Sequence, residues 1–317
     1  MTASMNDTRV TVRHLPWYGT STSLADEQLT SAEALAQSGL DWTVDSRPLT
    51  YRARVDGKEK TFKSSKTAIV RTDTFDELGV VGGRYVPFQN QDAFAFLDKL
   101  VEDNGANFQA AGSLNNGSRV FVVMKLPETM KILGDEHDTY VLFITSHDGS
   151  MSVTATTTVV RLSCTNMFRA ALSSERPVFK ASHIAAHLTE TEMVTAAATT
   201  LGVTKTDQAK FEELAKQLSD VRVNMENDVE FDKIMRQAMP WGSKATAKEI
   251  AGIRDLVVAS PTIPDEFRNT GWGLINATTE YLGHYRTSRS EEAQLKRALG
   301  VNSQIESRLA KALLAKH

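Results

Sequence analysis

Three tight-turn sequences constrain the fold of this chain more than any other feature. Asp56-Gly57, Asn115-Asn116-Gly117 and His147-Asp148-Gly149 each stand between two stretches with the alternating pattern of a strand. Asn, Asp and Gly tolerate the positive φ that the tight turns of β-hairpins require. Because a hairpin joins antiparallel strands, the three turns together predict a mostly antiparallel sheet over residues 40–163.

The hairpin around Asp56-Gly57 has the most clearly defined register. Apolar and polar residues alternate from Leu49 to Val55, as they do in a half-exposed strand. A two-residue loop places Tyr51 opposite Phe62, and this aromatic pair would hold the two strands in register. The pattern predicts a protruding arm.

Helical spacing marks the rest of the chain. In the first half we predict a short helix after Thr30, with a capping box completed by Glu33, and a second helix over 91–102 capped by Asn90. After Cys164 the apolar spacing is helical in six segments: 190–201, 207–222, 229–239, 245–258, 271–285 and 291–315.

These elements together predict an α+β fold. A mostly antiparallel sheet with a packed helix should form the N-terminal half, and the C-terminal half should be helical. We expect an α+β domain with the basic β-hairpin arm at 1–185 and a helical domain at 186–317.

Composition excludes several classes of protein. Of the 317 residues, 41% are hydrophobic and 24% are charged, which is ordinary for a folded domain and unlike a disordered or fibrous chain. Cys164 is the single cysteine, so an intramolecular disulfide is excluded. No window approaches 18 consecutive apolar residues, so we expect a cytoplasmic protein without a membrane span.

Charge is distributed unevenly along the chain. The net charge is −3, yet residues 47–71 carry +6 and residues 284–317 carry +4, which leaves −13 on the remainder. A solvated face is the ordinary meaning of such a run, and an anion-binding surface is the alternative.

The basic hairpin favours the second interpretation. Arginines on one face of a two-stranded arm suit a phosphate backbone, and nearby aromatic rings could stack on unpaired bases. The candidate nucleic-acid-binding residues are Arg52, Arg54, Lys58, Lys60, Lys63, Lys66, Arg71, Arg84, Tyr85, Arg161 and Arg169.

Other groupings have simpler explanations than chemistry. His183 and His187 have the spacing of a metal site on a helix, but a strand at 178–184 is an equal alternative. His147-Asp148, with Glu136-His137-Asp138, has the residue types of a metal-dependent nuclease, but a turn explains Asp148-Gly149. Cys164 lacks an identifiable partner. We therefore predict no catalytic residue, no metal and no cofactor.

Several stretches of the sequence resemble one family. They are Leu40–Val44, Arg71–Asp73, Leu78–Tyr85, Pro87–Asn90, Thr145–Ser150, Val160–Asn166 and Asn269–Tyr281. In this order, and over nearly the whole chain, they resemble the phage/plasmid-like family of unknown function (domain of unknown function 932), common in actinobacterial phages.

The resemblance implies a phage or mobile-element origin and a bacterial host cytoplasm. Such genes are similar in setting to replication and recombination genes, and a β-rich core followed by helices is similar in plan to phage single-strand annealing proteins.

Three functional hypotheses follow. The first is a non-enzymatic protein that binds or anneals single-stranded DNA as a homo-oligomer, with Arg71, Arg84, Arg161 and Arg169 extending the phosphate track of the arm. The second is an interaction protein whose acidic body binds and inhibits a host factor. The third is a metal-dependent nuclease using His147 and Asp148.

Overall fold

The computed structural model describes residues 22–24, 29–94, 97–98, 105–161, 166–168, 179–183, 209–239, 244–287, 289, 293, 297 and 301–315. Within these residues the N-terminal half is built from strands. They are β1 Thr22–Ser23, β2 Val44–Val55, β3 Lys58–Arg71, β4 Glu77–Gly82, β5 Asn107–Leu114, β6 Arg119–Ile132, β7 Asp135–Ser146, β8 Val153–Arg161, β9 Asn166–Phe168 and β10 Phe179–Ala181.

The strands form two antiparallel sheets. The larger sheet has the order β1-β5-β6-β7-β8-β10, with β9 also pairing with β8, and the smaller one has the order β2-β3-β4. The three predicted hairpins are confirmed as β2–β3, β5–β6 and β7–β8. Positive φ occurs where the turn chemistry requires it, at Asp56 (54°), Gly57 (77°), Gly117 (98°) and Gly149 (71°).

One hairpin was not predicted. β6 and β7 extend past the expected bounds and turn at Leu133-Gly134, where φ is 49° and 87°. The β6–β7 pairing is irregular between Lys125 and Thr129. Pro127 lies in this irregularity, where its missing N–H interrupts no regular ladder.

Among the described residues, two helices lie in the N-terminal half of the chain and the others lie in the C-terminal half. They are α1 Ser31–Gln37, α2 (described at 90–94 and 97–98), α3 (described from 209 to 220), α4 Asp228–Ala238, α5 Lys244–Ala259, α6 Gly271–Glu280 and α7 Val301–Leu314. A 3-10 turn, Asp265–Phe267, precedes α6, and a π-helical turn, Tyr281–Tyr285, follows it. The predicted α+β fold is confirmed; the predicted helix at 190–201 lies outside the described residues.

One of the two predicted caps in the first half is confirmed and one is wrong. Thr30 and Glu33 form the expected capping box of α1. The side chain of Asn90 instead donates from Nδ2 to the carbonyls of Leu40 (2.9 Å) and Trp42 (3.3 Å). Asn90 is buried, so its amide satisfies the backbone of the neighbouring segment rather than the end of its own helix.

Two of the hydrophobic cores are joined by the larger sheet. One core packs the smaller sheet and α2 against alternate residues of the larger sheet, including Val122 and Phe143. The helical core contains Ile132 and Val159, from the opposite end of the larger sheet, beside Trp272. The division at 185/186 stays a prediction, since residues 184–208 are outside the described part.

Helix α6 lies at the centre of the helical core. Every residue from Gly271 to Glu280 is buried, and Tyr281 is half-buried, as expected for this segment. Thr270 caps the helix by accepting from the N–H of Gly273. A Cβ on Gly273 would lie 2.0 Å from the carbonyl oxygen of Phe267, so close packing explains the Thr-Gly-Trp-Gly sequence.

Candidate nucleic-acid interface

The predicted arm is present as a two-stranded ribbon. β4 pairs with β3 only from Lys66 to Val70, so residues 49–65, here called the arm, have no third strand beside them within the described part of the chain. The seven residues from Leu49 to Val55 give the arm a length of about 23 Å. An isolated hairpin is marginally stable in water, so the base of the arm, anchored in the smaller sheet, supports it.

The predicted register of the arm is confirmed. Tyr51 pairs with Phe62, Arg54 with Glu59, and Val55 with Lys58. The Tyr51 and Phe62 rings stack with centroids 5.5 Å apart and an interplanar angle of 20°. Tyr51 remains 56% exposed, so this aromatic pair presents a ring to solvent.

The arm carries positive charge on both of its faces. Arg52, Arg54 and Lys63 share one face, because Lys63 pairs with Thr50, two residues before Arg52. Lys58 and Lys60 share the other face with the Tyr51–Phe62 pair. The ribbon therefore offers cations beside an aromatic ring on one side and a row of cations on the other.

Few of these charges are balanced by residues that the structure describes. Arg52 lies 3.8 Å from Glu59, and Arg54 Nε donates to the carbonyl of Gly57 (3.3 Å). The exposed side chains of Lys58, Lys60, Lys63 and Lys66 make no hydrogen bond or ion pair to any residue that the structure describes. Packing among the described residues does not account for this surface.

The other predicted residues lie apart from the arm. Arg71 is held by Asp73 through two hydrogen bonds (2.9 and 2.6 Å) and lies over the Trp42 ring at 4.3 Å. Arg161 is opposite His137, at the end of β8 far from β10; its side chain and all of Arg169 are outside the described residues. Of the predicted residues that the structure describes, the arm carries Arg52, Arg54, Lys58, Lys60 and Lys63, and Lys66 follows at its base.

Arg84 and Tyr85 line a cleft where the smaller sheet meets the larger one. Residues Gly82 to Tyr85, at the end of β4 and directly after it in the chain, form one side of the cleft. The β7–β8 turn contributes Gly149 to Ser152, and β10 and the residues that follow it contribute Lys180, Ser182 and His183. The cleft has a volume of about 680 Å³, within the ordinary range for a small-molecule site.

The half-buried Tyr85 and the buried His183 form the inner wall of the cleft. The Tyr85 hydroxyl donates to the carbonyl of Ser146 (2.7 Å), and its ring stacks on His183 with centroids 4.8 Å apart. Burial lowers the pKa of His183 and raises that of Tyr85 well above its usual range. Both rings are therefore neutral at pH 7.

His147 lies behind this wall. Its Nε2 is 3.0 Å from Asn90 Oδ1; because the Asn90 amide nitrogen faces two carbonyls, Oδ1 must accept and Nε2 must carry the proton. Burial, reinforced by the nearby His183, lowers the pKa of His147 to about 4. The ring is fully buried, so it presents no ligand atom to the cleft.

The geometry does not favour the nuclease hypothesis. Asp148 accepts from the N–H of Ser150 (2.8 Å), as expected of a turn residue. His137 and Asp138 lie near the start of β7, whereas His147 directly follows its last residue, Ser146. Among the described residues, no three His, Cys, Asp or Glu side chains are placed to hold a metal ion.

Sequence reasoning missed the cleft. The glycine cluster at residues 79–83 lacks a known phosphate-loop spacing, and Lys180 stands alone in the sequence. Lys180 reaches the site because β10 pairs with β8, Lys180 opposite Thr154. No local pattern signals this pairing, since the two residues are far apart in the chain.

One of three comparisons with known proteins identifies the family that the sequence resembles. Searches of curated proteins and of solved structures each found no match. In the described part of the chain, no helix combines the length and the apolar character needed to cross a membrane. The family model described as "Domain of unknown function (DUF932)" matches residues 77–300, which include all residues lining the cleft and begin after the arm. Since this match covers more than two thirds of the chain, the protein belongs to the DUF932 family.

Proposed function

We propose that this protein binds single-stranded DNA through the arm, as a non-enzymatic, homo-oligomeric protein of a phage or mobile element acting in replication or recombination. The observation that carries the proposal is the arm itself. It is a ribbon of about 23 Å whose cations are exposed, most of them without a partner among the described residues. Phosphate contacts of this kind supply sequence-independent affinity for nucleic acid.

Single strands are favoured over duplex by the aromatic pair. Tyr51 is exposed and held flat against Phe62, with Lys60 on the same face of the arm. An unpaired base can stack on such a ring while its phosphate meets the lysine, and stacking contributes about 1–3 kcal/mol per base. Bases inside a duplex are already stacked on one another and would not reach the ring.

The test is a titration of the protein with fluorescently labelled oligo-dT at several salt concentrations. We expect the triple variant Arg52→Glu, Arg54→Glu, Lys63→Glu to lose most of its affinity. Three lost phosphate contacts should reduce the slope of log affinity against log salt by about 2, at about 0.7 per contact. The thermal midpoint should stay nearly unchanged because these charges are exposed.

A matched control has the same change in net charge elsewhere. Lys216, Lys233 and Lys248 are exposed on helices α3, α4 and α5, and their replacement by Glu should leave the salt slope at the wild-type value. Equal losses in both triple variants would show a general charge effect, and no loss in either would make the arm a solvated face. Tight binding of a host protein without DNA affinity would support the interaction-protein hypothesis instead.

A further inference from the structure

We propose that the cleft between the two sheets binds a nucleotide through its phosphate group, with Arg84 and Lys180 as the cations that hold it. The nucleotide is either free in solution or the end of a DNA strand held by the arm. The second of these sources rests on the proposed function. The site itself is argued from its own residues.

The charge of the cleft favours an anion. Arg84 and Lys180 are exposed, lie on different elements that line it, and their side chains have no hydrogen bond or ion pair to a described residue. No carboxylate stands among the described residues that line the cleft. Asp148 lies in the turn beside the lining residue Gly149, where its carboxylate accepts from the N–H of Ser150. Its negative charge acts on Tyr85 and His183, and the two cations outnumber it.

A hydroxyl group completes a phosphate-binding surface. Ser150 and Ser182 are exposed on the lining. Arg119 Nε donates to Ser150 Oγ (3.1 Å), and the Ser150 side chain hydrogen-bonds the Asp148 carboxylate, so Ser150 is engaged and Ser182 supplies the hydroxyl donor. Two cations and this hydroxyl suit the three oxygens of a phosphate monoester.

Two glycines on the rim are not required by the fold. Gly82 and Gly83 lack a positive φ. A Cβ on Gly82 would meet nothing within 4 Å, and one on Gly83 would meet only the Ser65 carbonyl at 3.7 Å. Gly149, by contrast, has a φ of 71°. The absence of side chains at Gly82 and Gly83 leaves this part of the rim uncovered, so a phosphate can approach the backbone there.

An aromatic surface lies beside this polar rim. Tyr85 and His183 stack on each other and both line the cleft, together with the half-buried Met151. A flat, uncharged ring next to a phosphate-binding rim fits a nucleobase joined to its phosphate through a sugar. This combination selects a nucleotide over inorganic phosphate.

The experiment measures binding of thymidine 5′-monophosphate by calorimetry, with thymidine and inorganic phosphate as comparison ligands. We expect the monophosphate to bind at least tenfold more tightly than either. The variants Arg84→Ala with Lys180→Ala, and Gly82→Val, should each weaken it tenfold or more with the thermal midpoint unchanged. The arm variant Arg52→Glu, Arg54→Glu, Lys63→Glu should bind it as the wild type does.

The outcomes separate the two proposals. Loss of oligo-dT affinity in the arm variant with normal monophosphate binding supports both, and normal oligo-dT affinity in that variant refutes only the arm. Unchanged monophosphate affinity in the cleft variants, or a wild-type protein that binds it no better than inorganic phosphate, overturns the cleft. A preference for 5′-phosphorylated over 5′-hydroxyl oligo-dT, lost in the cleft variants, identifies a strand end as the source.

Discussion

At the scale of single residues, the junction between the two sheets contains glycines at positions where the surrounding atoms leave no room for a side chain. A Cβ on Gly79 would lie 2.6 Å from Cα of Asp148, and a Cβ on Gly117 would lie 3.2 Å from the Trp42 ring. The neighbour of Gly79 is backbone and cannot move aside cheaply. Several stretches that carry the family resemblance meet here, so part of that resemblance reflects packing.

This arrangement predicts opposite results for two neighbouring glycines of β4. Gly79→Ala should reduce the free energy of unfolding by about 1–3 kcal/mol, as overpacking does. Gly82→Ala, which meets open space, should change it by less than about 0.5 kcal/mol. Urea denaturation of both variants measures the difference, and equal effects would contradict the packing described for Gly79.

A second residue-scale prediction concerns pH. The folded-state pKa of His147, about 4, lies below the ordinary value of about 6.5, so the proton binds the unfolded state first. Stability from this group is complete above pH 6.5 and declines as the pH falls toward 4, by up to about 1.4 kcal/mol per pH unit. The lowered pKa of His183 acts in the same direction.

The variant His147→Gln isolates this effect, because its amide N–H can still donate to Asn90 but does not titrate. Denaturation curves at pH 7, 6 and 5 should show a shallower loss of stability for the variant than for the wild type. Parallel losses would mean that carboxylates, and not His147, dominate the acid sensitivity.

At the scale of elements, turn chemistry determined how much of the fold was predictable. The three hairpins and the arm register follow from Asn, Asp and Gly at turn positions, which act locally. The strand alternative at 178–184 is confirmed by β10. Its pairing with β8, and with it the cleft, was not predictable, because that pairing joins residues far apart in the chain. The Leu133-Gly134 hairpin was missed because Leu is an unusual residue at a positive φ. The predicted helix cap by Asn90 was wrong because its side-chain amide instead donates to the carbonyls of Leu40 and Trp42.

The arm allows an element-scale prediction. Gly57 has a φ of 77°, which a β-branched residue adopts only at a cost. Gly57→Val should therefore increase amide hydrogen exchange in residues 50–63 while the thermal midpoint of the protein stays the same. Hydrogen-exchange mass spectrometry measures exchange in the arm and in the larger sheet in the same experiment. Faster exchange throughout the larger sheet would contradict the independence of the arm from the core.

At the scale of the whole molecule, the larger sheet contributes residues to the hydrophobic cores of both halves of the chain. His137, on β7, packs against Phe211 (5.6 Å between ring centroids) and Trp272 (6.4 Å) of the helical half. Ile132 and Val159 are buried in the same core. Helices and sheet thus cover one another's apolar surface.

A fragment of residues 1–185 should consequently expose the apolar end of the sheet. We expect it to aggregate or to bind a hydrophobic dye such as ANS, and we expect the intact chain to unfold in one cooperative transition. Calorimetry of the chain and dye binding of the fragment check this. A monomeric fragment with native near-ultraviolet circular dichroism, beside two transitions in the intact chain, would instead support independent domains.

The pairing of Lys66 with Gly82 joins the base of the arm to the rim of the cleft. In mechanical terms this pair is a pivot, with a short side at the cleft and a long side of about 23 Å that ends at Asp56-Gly57. A tilt of about 10° at the pivot would move the tip by about 4 Å. Any displacement at the rim of the cleft would therefore be larger at the tip of the arm, because of the difference in length between the two sides.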